Sequence, residues 1–84
     1  MRHAGPQTLE AIAPLLAVLR RLPGLKEPRT GVFYRNSRAF LHFHEDGERV
    51  FADLRLWGPE FERYPATSRA ERRALVRRIT AALA

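Results

Sequence analysis

The stretch Phe40–Phe51, FLHFHEDGERVF, holds two imidazoles two residues apart, at His42 and His44. Side chains two apart on a β-strand point to the same side. The pair would therefore present both rings together, as many zinc sites require, and Asp53 could add an oxygen ligand. The candidate metal ligands are thus His42, His44 and Asp53, with zinc as the alternative to no cofactor at all. The same histidines could act as a general base oriented by Asp53. A nucleophile to pair with that base is poorly supplied, because the two serines, Ser37 and Ser68, fall in an expected turn and an expected helix cap. There is no cysteine, which excludes thiolate ligands and disulfides. No glycine-rich phosphate loop or convincing carboxylate pair is present, so no residue is assigned a catalytic role.

The elements that would position these groups read as one α+β domain over residues 1–84, in the order α-β-β-β-α. Residues 1–7 are expected to be loose. Leu9, Ile12, Leu15, Leu16, Leu19 and Leu22 recur at helical spacing and predict a helix over 8–23. Pro14 either kinks that helix or opens a firmer second part. A three-stranded antiparallel meander is predicted over 31–56, with strands at 31–35, 38–45 and 48–56, an Asn36-Ser37 turn and an Asp46-Gly47 turn. Residues 57–66, WGPEFERYPA, read as an aromatic connector in which Trp57, Phe61 and Tyr64 plug one end of the core. SRAE at 68–71 matches a capping box and starts a helix over 68–83, with Leu75, Ile79, Ala82 and Leu83 buried and Arg69, Arg73 and Arg77 on the far side.

With a two-residue Asp46-Gly47 turn, one sheet face carries Val32, Tyr34, Ala39, Leu41, Phe43, Val50, Ala52, Leu54 and Leu56. That apolar face is the expected core, and both helices pack on it. The opposite face carries Phe33, Arg38, Phe40, His42, His44, Arg49, Phe51, Asp53 and Arg55. Several aromatics together on an open face mark an interaction surface. The leading expectation is a non-catalytic module that forms a homodimer through Phe33, Phe40 and Phe51. The alternatives are nucleic acid, with the same aromatics and Arg38, Arg49 and Arg55, and metal binding through His-x-His.

The formal net charge is +6, and Lys26 is the single lysine among fifteen basic residues. Such a balance favours acidic partners, nucleic acid among them, but arginine bias also accompanies GC-rich genomes. No run of apolar residues approaches a membrane span, and no secretory cleavage pattern follows the N-terminal apolar patch. A cytoplasmic, non-membrane protein is therefore expected.

LPGL at the end of the first helix, RAF at the start of a strand, and HFHEDG leading into FADLRL together resemble the small bacterial and fungal luciferase-like domains. The resemblance covers Leu22 to about Leu56. It implies that His42, His44, Asp46 and Gly47 lie on the most recognisable segment of that family. The further strands that follow the hairpin in that family are not evident after Leu56, where one basic helix is expected instead, and the resemblance implies no particular chemistry.

Overall fold

Pro14 divides the N-terminal helix. The computed structural model describes all residues, Met1–Ala84, and contains α1 at Pro6–Ala11 and α2 at Ala13–Arg20, hinged at Ile12. A proline four residues beyond Glu10 cannot donate to the Glu10 carbonyl, so the hydrogen-bond ladder breaks there. Pro14 then occupies the first turn of α2, where its missing N–H costs nothing. Residues 1–7 are not loose: Arg2–His3 form a short strand β1, and α1 already begins at Pro6.

Beyond the helices the chain forms β2 (Leu25–Arg29), β3 (Val32–Arg35), β4 (Arg38–Asp46), β5 (Arg49–Leu54) and β6 (Glu62–Pro65). The expected meander is present, but the sheet has six strands rather than three, all antiparallel, in the order β2-β3-β4-β5-β6 with β1 paired to β4. LKEPR lies in a stretch, LKEPRTG, expected as loop, and is strand β2. Proline is tolerated there because β2 is an edge strand and its register shifts between Lys26 and Arg29. The connector 57–66 supplies β6, and Trp57 is 77% exposed rather than plugging the core.

The Asn36-Ser37 turn forms as expected, with both residues at positive φ. At the next hairpin, Asp46 pairs with Arg49, so Gly47 and Glu48 make the turn. That register differs from the expected one by two residues. Because side chains alternate with period two, the faces of β4 and β5 survive the shift while every cross-strand partner changes. Phe43 now opposes Ala52, His44 opposes Phe51 and His42 opposes Asp53.

β3 behaves differently. Phe33 pairs with Leu41 but Tyr34 pairs with Ala39, which leaves Phe40 as an extra residue in β4. Such a bulge moves residues across faces. Phe33 and Phe40 are consequently buried in the core, at 0% and 4% exposure, and Tyr34 is exposed. The core joins them to Leu41, Phe43, Val50, Ala52 and Leu54 of the sheet, to Ile12, Leu15, Leu16 and Leu19, and to Leu75 and Ile79 of α3 (Arg69–Leu83). The capping box at the start of α3 is complete: Glu71 N–H donates to Ser68 Oγ at 3.1 Å, and Ser68 N–H donates to Glu71 Oε1 at 2.9 Å. No helix is long and apolar enough to cross a membrane.

Candidate metal centre

Two cross-strand rows meet on the sheet face away from the core. Directly opposed residues of an antiparallel ladder share a face. The first row runs His3–His44–Phe51–Pro65 across β1, β4, β5 and β6. The second runs His42–Asp53–Arg63 across β4, β5 and β6. Since His42 and His44 are two residues apart, all three histidines of the chain converge.

Each histidine offers one ligand nitrogen, and these three atoms lie within 4.8 Å of one another. The His3 ring stacks on His44 at 4.4 Å between centroids and lies 5.8 Å from His42. The rings of His42 and His44 meet edge to face at 5.1 Å. Behind them, Asp53 Oδ2 is 3.0 Å from His44 Nδ1 and 3.9 Å from His42 Nδ1. Despite the shorter separation, the approach lacks the alignment of a hydrogen bond, and both buried Nδ1 atoms are without a partner. Buried ring nitrogens in that condition are uncommon and call for a reason.

Asp53 is only 7% exposed, yet its charge is balanced. Arg63 grips it bidentately, Nε to Oδ1 at 2.7 Å and a terminal nitrogen to Oδ2 at 2.9 Å. Those hydrogen bonds hold the Asp53 carboxyl below the ordinary carboxylate range, against the opposing effect of burial. Burial pushes the His42 and His44 imidazoles below their ordinary pKa, and the Asp53 charge only partly offsets it. Burial thus favours the neutral ring, the state in which imidazole binds a metal.

His3 reaches this site because its two-residue strand is anchored on both sides. Gly5 N–H donates to Glu45 Oε1 at 2.5 Å, Ala4 N–H donates to Phe43 O at 3.0 Å, and Arg2 lies 3.7 Å from Glu45 Oε2. Phe61 closes the other side, its ring 4.9 Å from that of His42 and capped by the Arg55 guanidinium at 4.8 Å. The chain thus covers much of this face itself, with β1 and the segment around Phe61.

The expected site residues fare unequally. His42, His44 and Asp53 come together. Phe33 and Phe40 leave the face for the core, so two of the three expected dimer anchors are inaccessible. Phe51 stays half-buried under the Arg49 guanidinium at 4.9 Å. Arg55 is engaged with Phe61 and donates to the Ala39 carbonyl, while Arg38 is exposed at the start of β4. The arginines expected to meet nucleic acid at the sheet are thereby partly committed to the aromatics of the chain itself. His3, Arg63 and Phe61 were not anticipated. Neither Arg63, in a stretch expected as a connector, nor His3, in a tail expected to be loose, carried a local signal for this site.

His3 and His42 also line a cleft of about 440 Å³ with Leu9, Arg29, Thr30 and Gly31. Comparison with known families, curated proteins and solved structures finds no match. The resemblance to luciferase-like domains therefore rests on the Leu22–Leu56 motif alone.

Proposed function

We propose that this chain is a metal-binding protein that holds a first-row divalent ion, zinc being the first candidate, on His3, His42 and His44. The observation that carries the reading is the convergence of all three imidazoles on one half-buried spot, from two strands far apart in sequence. Tetrahedral zinc with bonds of 2.0–2.1 Å needs nitrogens about 3.3 Å apart. A spread of at most 4.8 Å closes to that by side-chain rotation. The Nδ1 atoms of His42 and His44 are sealed and turned toward Asp53, which leaves Nε2 as their metal-binding nitrogen. Asp53 Oδ2 stands behind the rings, 3.0 Å from His44 Nδ1 and 3.9 Å from His42 Nδ1, and a small ring rotation on metal binding would let it accept from His44 Nδ1–H, the carboxylate–histidine–metal arrangement that fixes tautomer and raises ligand basicity. The cleft beside His3 and His42 leaves room for water or a small ligand as the fourth donor.

The test is titration of the metal-free protein with Zn²⁺ by calorimetry, together with the visible spectrum of the Co²⁺ form. One equivalent bound, an intense tetrahedral Co²⁺ spectrum, and loss of both in His42→Ala and His44→Ala are expected. A native chain that binds no stoichiometric metal overturns the reading.

A further inference from the structure

The C-terminal helix α3 holds five arginines, Arg69, Arg72, Arg73, Arg77 and Arg78, and one acid, Glu71. Glu71 is spent on the cap, accepting from the N–H groups of Thr67 and Ser68. None of the five guanidinium groups belongs to an ion pair; the arginines that do are Arg2, Arg20 and Arg63. Arg69, Arg73 and Arg77 form an exposed row one turn apart, about 6 Å per step along the axis. Like charges at that spacing repel, and nothing within the chain compensates them.

At its Arg77 end the row meets a groove of about 520 Å³, lined also by Leu56, Trp57, Ala74, Arg78, Ala81 and Ala82, whereas Arg69 and Arg73 border a different cleft, toward α2, with Pro14, Leu15 and Val18. Trp57 is the most exposed large apolar side chain of the protein. The alanines leave the floor beside its indole low and smooth. The row of unpaired cations thus ends, at Arg77, beside an exposed aromatic plane with open space next to it. An acidic peptide would satisfy the arginines and leave Trp57 unexplained. Duplex phosphates would do the same, because paired bases are not free to stack on a side chain. A polyanion with unpaired flat rings uses both features.

We propose that α3 and Trp57 form a binding surface for single-stranded nucleic acid. Arg69, Arg73 and Arg77 contact the phosphates, and Trp57 stacks on a base above Ala74 and Ala81. This surface shares no residue with the histidine cluster, so it stands or falls separately from metal binding.

Trp57 is the only tryptophan, which makes the intrinsic fluorescence of the full chain a direct reporter. Titration with a short oligothymidylate is expected to quench it saturably. Three phosphate contacts on a single strand give a slope of about −2 in log K against log salt, and Arg73→Ala/Arg77→Ala lowers its magnitude by about 1.4. Followed by anisotropy of a labelled oligonucleotide, Trp57→Ala weakens binding about 5- to 150-fold, and Trp57→Phe recovers part of the loss. Absence of quenching, or equal affinity for polyglutamate or for duplex DNA, overturns the proposal. So does native affinity in a folded Trp57→Ala chain; should that variant not fold, an unchanged salt slope in Arg73→Ala/Arg77→Ala overturns it instead.

Discussion

Replacing His3 by alanine separates a metal ligand from a structural side chain. His3 is exposed and sits on a two-residue edge strand, so its removal takes little from the apolar core. The metal-free variant should melt within a few degrees of the native protein, as surface changes usually shift stability by no more than about 0.5 kcal/mol. Metal affinity should respond quite differently. Structural zinc sites contribute about 10–16 kcal/mol, or roughly 2.5–4 kcal/mol for each of four ligands, so losing one raises Kd about 100-fold or more. With Zn²⁺ at 100 times the native Kd, mass action stabilises the native fold by about 2.7 kcal/mol. For a domain of this size that is a rise in Tm of about 11–22 °C. At the same Zn²⁺ concentration the variant gains about 0.4 kcal/mol, a rise of about 2–3 °C. Differential scanning calorimetry with and without Zn²⁺ measures both. An equal zinc-induced shift in the two proteins would refute His3 as a ligand. A metal-free variant that melts far below the native chain would make its ring stacking on His44 structural.

Three further perturbations probe how the cluster is held. Glu45→Gln removes the carboxylate that binds Gly5 N–H and lies near Arg2. It should speed amide exchange in β1 and weaken Zn²⁺ binding about 10-fold while leaving Tm without metal nearly unchanged; unaltered affinity would mean that β1 docks without this anchor. Asp53→Asn takes the charge from the Arg63 pair and from behind His42 and His44. A loss of about 1–2 kcal/mol by urea denaturation, tempered by the half-exposed Arg63 side chain, and a 10- to 100-fold weaker metal affinity are expected, and a neutral effect on both would remove Asp53 from the site. The third perturbation is pH. Burial lowers the folded-state pKa of His42 and His44, so the unfolded chain takes up protons first as pH falls. Their contribution to stability is complete above the unfolded value of about 6.5 and is lost as pH drops below it toward the folded values. The urea midpoint of the metal-free protein should fall between pH 7.5 and 5.5. A midpoint that rises on acidification contradicts the assignment of neutral rings.

Local rules were sufficient wherever the deciding interaction lay within a few residues. Ser68 and Glu71 close a capping box through their own neighbours, so the start of α3 is readable from four letters. Asn36-Ser37 tolerates positive φ, so the β3–β4 turn is readable too. Alternation alone puts His42 and His44 on one face and Leu41 and Phe43 on the other, and it survives a register shift of two. Pro14 announces a break in the helix, although whether as a kink or as a new start is decided by how α2 packs. β2 is not readable by the same local logic, because a strand carrying Pro28 is acceptable only at a sheet edge, and edge position is a property of the whole sheet.

The make-up of the site depends on pairings that no local rule reaches. The bulge at Phe40 follows from fitting β3 against β4, and it carries Phe33 and Phe40 into the core. Arg63 meets Asp53 only because β6 adds to the edge of β5. His3 joins His44 only because β1 lies along the length of β4 that β3 leaves unpaired. A strand of two residues has no periodicity to detect, and its place is set by hydrogen bonds to residues about forty positions away. Composition and strand alternation therefore establish which residue types are present and which face of β4 they occupy. Which of them meet is set by strand pairing, because cross-strand register is a property of pairs of strands and not of either strand alone.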